Sequence, residues 1–200
     1  MDRTAAGASI AWLISCAPVA LPAVWHPAEA ALGESSRLAL AALPWLAWIG
    51  APGSSRTSPL GTAALCVPPL AAAFAVDAGH GRALVPLAIV SGAAIAMVVL
   101  LGLAARGAAA RGSDRIYAIA WLLLVPGLPV LRASLEAGGA PSWGAAPRWL
   151  TFLSGASPIG WAWSGCASTT PEGPGAGTWA ALAVCASLLA LAVLPGRAAP

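Results

Sequence analysis

Charged side chains are scarce in this chain, at 8% of its 200 residues, whereas soluble domains carry about a quarter. A water-soluble fold cannot cover its surface with so few charges, and 59% of the residues are hydrophobic, with a mean hydropathy of +0.81. Lysine is absent, and the ten basic residues, all arginines, leave a formal net charge of only +3. Because these arginines are scattered, the sequence argues against a nucleic-acid-binding face and indicates a helical membrane protein.

Motifs for catalysis and for cofactor binding are also missing. The chain has no GxxxxGK[ST] loop to cradle nucleotide phosphates, so any ATP hydrolysis must belong to a partner chain. None of the four cysteines (Cys16, Cys66, Cys166 and Cys185) has a partner at the two-residue spacing of zinc and redox motifs. His26 and His80 each follow an apolar run, and we interpret them as interfacial polar residues. The sequence therefore predicts no catalytic residue, no cofactor and no metal site, and a chain that is not an enzyme.

The clearest positive feature is the charge-free stretch from residue 83 to residue 105, ALVPLAIVSGAAIAMVVLLGLAA. At about 1.5 Å of rise per residue, a helix of this length crosses the roughly 30 Å hydrocarbon core of a bilayer. Arg106, Arg111 and Arg115 follow it at once and form the largest basic cluster in the chain. The positive-inside rule favours the cytoplasmic side for this cluster.

Five further apolar runs are predicted to span the membrane, so we expect an all-α, polytopic integral membrane bundle of about six helices in a single domain. The first run also resembles a signal peptide, but it exceeds the usual apolar length of about 7 to 15 residues and holds two prolines. Two prolines, Pro126 and Pro129, break the fifth run. The six predicted spans lie near residues 5–25, 38–53, 59–76, 83–105, 116–131 and 178–195.

The stretch from residue 149 to residue 171, WLTFLSGASPIGWAWSGCASTTP, has a different character. It carries no charge, yet it is rich in glycine, serine, threonine and tryptophan, which makes it too polar for a typical span and too uncharged for a solvated loop. We therefore predict a re-entrant or interfacial element before the last span. If the stretch crosses the membrane instead, the chain has seven spans and its C-terminus lies outside.

With six spans and the N-terminus inside, the arginines divide unequally between the two sides of the membrane. Acidic residues lean the other way, with five outside and two inside. The positive-inside rule then favours cytoplasmic termini. The inner side carries Arg3, Arg56, Arg106, Arg111, Arg115 and Arg197, and the outer side carries Arg37, Arg82, Arg132 and Arg148.

This order of segments resembles the permease subunits of ATP-binding-cassette transporters of the type-two exporter class. The resemblance covers roughly the last ninety residues, where an uncharged connection containing SGASPIGWAWSG precedes a final apolar helix. It implies short re-entrant helices on the outer side, with Ser157 and Pro158 as the counterpart of a Ser-Pro turn found there. The chain departs from that family before the first span, which only MDRT precedes, and in its short loop around Arg56.

Two functions follow as hypotheses. The first is a permease subunit in the bacterial cytoplasmic (inner) membrane, driven by a separate cytoplasmic ATPase that touches Arg56, Arg106, Arg111 and Arg115. The second is a non-catalytic structural or assembly subunit of a larger membrane complex. Both imply the lipid bilayer and other protein subunits as partners. Since no charge lies inside the six predicted runs, an ion-coupled transporter or a channel with a charged filter is disfavoured.

Overall fold

The computed structural model describes residues 34–49, 59–137, 148–162 and 174–193 of the chain. These residues are helical apart from the short connections, and no strand occurs among them. The π-helical segment Leu123–Gly127 joins α4 to α5, and the short helical turn Pro158–Gly160 follows α6. The helices are α1 (Glu34–Ile49), α2 (Pro59–Gly79), α3 (Leu84–Ala110), α4 (Asp114–Leu122), α5 (Leu128–Ala137), α6 (Arg148–Ala156) and α7 (Ala176–Val193).

Four helical stretches in the described part of the chain are long and apolar enough to cross a membrane: α2, α3, the α4–α5 unit over Asp114–Glu136, and α7. Their bounds differ from those of the predicted spans by a few residues. The helical stretch Asp114–Glu136 is longer than the span predicted at 116–131. Helix α1 covers much of the predicted span at 38–53 but has only 16 residues. The predicted first span, at 5–25, lies outside the described residues.

Helix α3 occupies the centre of the bundle. Apart from Arg106 near its end, the apolar residues of this 27-residue helix are spread around all its sides, which is the pattern of a helix surrounded by others. It packs against α1, α2, α4 and α7, most extensively against α7. Its buried side chains form the main hydrophobic core with residues from those neighbours, and they include Leu87, Val90, Met97, Val98 and Leu101.

Contacts at the helix ends fix the directions of the helices. The first turn of α1 meets the last turns of α2 through Ser36 and Asp77, so α1 and α2 are antiparallel. The C-terminal ends of α3 and α7 meet through Arg111 and Ala192. Because α3 and α7 also pack along each other, they run in the same direction. We call the two ends of the bundle the Asp77 end and the Arg111 end.

The stretch predicted as re-entrant or interfacial, 149–171, is described as far as residue 162. It begins within α6, whose nine residues make a helix of about 14 Å, too short to cross a bilayer. The chain then changes direction at Ser157 and continues as the turn Pro158–Gly160.

Helices α2 and α3 are in close contact at Gly102. A Cβ atom at this position would lie 3.2 Å from the side-chain methyl group of Thr62, whereas a Cβ at Gly92 of the same helix would meet nothing within 4 Å. Close contact of this kind is how helices associate in lipid, where no hydrophobic force drives them together.

We expect Gly102→Leu to lower the free energy of unfolding by about 1 to 3 kcal/mol, because the larger side chain forces α2 away from α3. The matched control is Gly92→Leu, which adds the same side chain to the same helix in open space. Reversible unfolding in mixed detergent micelles measures both. Equal losses in the two variants would contradict this packing.

Candidate functional site

A buried carboxylate lies at the Asp77 end of the bundle. Asp77, in the last turns of α2, is only 1% exposed. Its Oδ2 accepts a hydrogen bond of 2.7 Å from the Ser36 hydroxyl on α1, and its Oδ1 lies 3.1 Å from Nη1 of Arg82, in the turn before α3. The two oxygens of one carboxylate therefore tie together α1, α2 and the start of α3. We call these three residues the Asp77 network.

The turn between α2 and α3 brings Arg82 back to Asp77. Gly81 adopts φ +67°, a left-handed conformation that glycine reaches without cost, and the chain reverses there. The Arg82 amide then donates to the backbone carbonyl of Asp77 at 3.0 Å. His80 closes the same helix end, since its Nδ1 lies 2.7 Å from the Val76 carbonyl oxygen. The local sequence DAGHGR thus forms a helix cap that also places the ion pair.

Burial makes the Asp77 network a strong electrostatic feature. Ser36 is fully buried, and the Arg82 side chain is 14% exposed. In such surroundings an unpaired carboxylate would be costly, and charge-assisted hydrogen bonds are stronger than neutral ones. Helix α2 continues beyond the charge-free run predicted at 59–76 as far as Gly79, so Asp77, which follows that run in the sequence, lies within the helix.

The Ser157 and Pro158 pair, predicted as a re-entrant turn, forms a compact break in the helix. Ser157 has extended backbone angles, and its hydroxyl accepts from the Gly160 amide at 2.9 Å while donating to the Ser154 carbonyl at 2.9 Å. Pro158 occupies the first helical position, where its missing N–H costs nothing. A Cβ atom on Gly160 would overlap the Ser154 carbonyl oxygen, so this turn requires glycine.

Trp161 attaches this turn to α7. The indole is 1% exposed, and its Nε1 donates to the Thr178 hydroxyl at 3.1 Å. Thr178 is in the first turn of α7, so residues 158–162 lie beside the beginning of that helix. By contrast, Trp149 on α6 is exposed. Sequence reasoning missed the Trp161–Thr178 bond because no local pattern links residues 17 positions apart.

The predicted partner-contact arginines that the structure describes lie together at the Arg111 end. Arg111 Nη1 donates to the Ala192 carbonyl at 2.9 Å, which satisfies a backbone oxygen in the last turn of α7. Arg115, in the first turn of α4, is exposed, and Arg106 is half-buried. Arg56 lies outside the described residues. The structure thus brings Arg106, Arg111 and Arg115 to one end but engages Arg111 within the chain.

Among the described residues, no group of three or more His, Cys, Asp or Glu side chains is placed to hold a metal ion. The two described cysteines, Cys66 and Cys185, are free and buried in α2 and α7. The Asp77 network and the Ser157 turn both fix helix ends by polar bonds. The Ser36–Asp77 bond joins helices distant in sequence, whereas the bonds of the Ser157 turn are local.

No protein-family model matches the chain, and no curated protein or solved structure matches it either.

Asp77→Ala leaves the largely buried Arg82 guanidinium without its carboxylate, so we expect the free energy of unfolding to fall by about 3 kcal/mol. Glu136→Ala is the matched control, because it breaks the exposed Arg132–Glu136 pair of α5 and should cost less than about 0.5 kcal/mol. The double variant Asp77→Ala/Arg82→Ala should recover part of the loss, since it removes both charges. Equal effects of Asp77→Ala and Glu136→Ala would contradict the role of burial.

Gly160→Ala should destabilise the turn after α6, by about 2 to 3 kcal/mol, because the Ser154 carbonyl is backbone and cannot move away. Ser157→Ala removes only the cap and should cost about 1 kcal/mol. Hydrogen exchange of the amides of Gly160 and Trp161 measures this locally. Gly92→Ala serves as the control, and protection at Gly160 and Trp161 that is unchanged in Gly160→Ala would show that the turn is not tight.

Proposed function

We propose that the chain is the membrane-embedded permease subunit of a transporter that a separate ATPase subunit drives. The observation that carries this proposal is the course of residues 148–162, the described part of the connection between α5 and α7. Helix α6 is too short to cross a bilayer, the chain breaks at Ser157, and Trp161 packs beside the first turn of α7. A half-inserted connection of this kind before the last span is what the type-two exporter class has on its outer side.

The shared direction of α3 and α7 supports the same proposal. If the segment between α5 and α7 crossed the bilayer, α7 would run opposite to α3, but their C-terminal ends meet at Arg111 and Ala192. A re-entrant or interfacial segment at 149–171 accounts for this with six spans. In the proposed arrangement the chain lies in a bacterial cytoplasmic (inner) membrane, with the Asp77 end outside and with the Arg111 end and both termini on the cytoplasmic side.

The basic cluster at the Arg111 end is the proposed contact for the ATPase. Arg106, Arg111 and Arg115 follow one apolar helix, as the positive-inside rule requires of cytoplasmic residues. Arg111 already donates to α7, so the exposed Arg115 is the arginine best placed to meet a partner. Arg56 belongs to the same proposed contact, and substitution of Arg115 tests the contact without disturbing the end of α7.

Co-purification from native membranes in mild detergent should recover a stoichiometric ATPase with this chain. Arg115→Glu should lower that recovery roughly tenfold, because charge reversal opposes a complementary acidic surface. Arg148→Glu, an exposed reversal on α6, is the control and should leave recovery unchanged. Arg111→Glu should both lower recovery and destabilise the fold. Recovery of a stable set of other integral subunits without any ATPase would instead support the structural or assembly role.

A further inference from the structure

The helical stretch from Asp114 to Glu136 is interrupted at its middle by two prolines. Proline has no backbone N–H, so Pro126 gives no hydrogen bond to the Leu122 carbonyl, and Pro129 gives none to that of Val125. The chain responds with a wider turn, Leu123–Gly127, in which the Leu128 amide donates to the Leu123 carbonyl. Widened turns of this type are frequent at functional sites.

The half before the interruption is firmly held. The Tyr117 hydroxyl donates to the Leu101 carbonyl of α3 at 3.0 Å. Trp121 is fully buried and packs edge to face on Trp45 of α1, with ring centroids 4.9 Å apart and an interplanar angle of 73°. Helix α4 is thus anchored to two other helices by a hydrogen bond and an aromatic pair.

Helix α5, the half after the interruption, makes far fewer buried contacts with the rest of the bundle. None of the α5 side chains that the structure describes, from Leu128 to Glu136, is buried. Its main contacts are with the π-helical segment, α6 and the turn Pro158–Gly160 rather than with α3. Its one ion pair, Arg132–Glu136, lies within the helix itself and is exposed. Elements with so few buried contacts belong to the low-stability part of a fold.

We propose that Leu123–Gly127 is a hinge about which α5 moves while α4 stays fixed on α1 and α3. The two prolines remove the hydrogen bonds that would stiffen the helix, and the packing changes abruptly at the same place. Gly127 belongs to the hinge, because a Cβ atom there would lie 2.7 Å from the Leu122 carbonyl oxygen. The hinge is a property of this chain alone and does not require the proposed ATPase.

Distances between pairs of spin labels test the hinge directly in the isolated chain, reconstituted in lipid nanodiscs. The four native cysteines are first replaced by alanine. One label pair joins Ser134 on α5 to Ala75 on α2, and the control pair joins Ile119 on α4 to the same Ala75, all three positions being exposed. We expect the Ser134 pair to give a distance distribution about twofold broader than the Ile119 pair, as domain-scale motion does. Distributions of equal width would overturn the hinge.

A second variant distinguishes motion about a hinge at the prolines from local disorder at the end of α5. Pro126→Ala/Pro129→Ala restores the two missing amide donors, so the Ser134 distribution should narrow to the width of the control. A distribution that stays broad in this variant would overturn the proposal, because the motion would then not depend on the prolines. Should the variant fail to fold, hydrogen exchange in the otherwise unmodified chain decides. The hinge requires protection to drop from α4 to α5 at the π-helical segment, and uniform protection contradicts it.

Discussion

The described structure depends on one constraint, which is that the neighbouring helices pack closely against the central helix α3. Helices in lipid gain nothing from burying apolar surface, since the lipid tails are as apolar as the side chains, so they associate where backbones come near. Helix α3 allows this at Gly102, which faces Thr62 of α2, and at Gly107, where a Cβ atom would lie 3.6 Å from the Ala192 carbonyl oxygen. The central helix therefore has small residues at these contacts, whereas bulky buried residues such as Leu101 and Met97 precede them along the helix.

Alanine-rich faces alone do not fix how far one helix slides along another, because many registers give similar contact. Polar bonds select one register, since a donor or acceptor without its partner is costly in apolar surroundings. Several of the described polar bonds join different helices. The Asp77 network does so at one end and Arg111 with Ala192 at the other, while Tyr117 reaches the Leu101 carbonyl between them.

The sequence predicts the apolar helices well because a run without charge over about 20 residues has few other interpretations. Residues 83–105, for example, lie within Leu84–Ala110 apart from the first. The contacts of Asp77, by contrast, cannot be predicted from the sequence in this way. Its position after an apolar run is also that of an ordinary loop residue, and only the fold brings Ser36, 41 positions away, to its second oxygen. The candidate site therefore depends on pairings that neither composition nor spacing encodes.

The predicted fifth span, 116–131, is too short for a related reason. Its predicted end precedes Arg132, where the charge-free run stops, but the π-helical segment and α5 carry the helix onward to Ala137. Sequence predicts the interruption at Pro126 and Pro129, and it does not predict how the backbone accommodates them. At Ser157 and Pro158, likewise, the sequence motif predicts a turn. It does not predict that the Ser154 carbonyl packs so closely on Gly160 that no side chain fits there.

The two interruptions lie against each other, since the turn Pro158–Gly160 packs on Leu123–Gly127. This arrangement has a physical reason. Irregular backbone is tolerated at membrane depth only where protein covers it, because lipid offers no hydrogen bonds to the freed groups. Val125, Pro158 and Gly160 are all buried, so each interruption covers the irregular backbone of the other and separates it from lipid. A change in the angle between α4 and α5 would therefore displace the Ser157 turn first. Through the hydrogen bond of Trp161 it would then displace the start of α7.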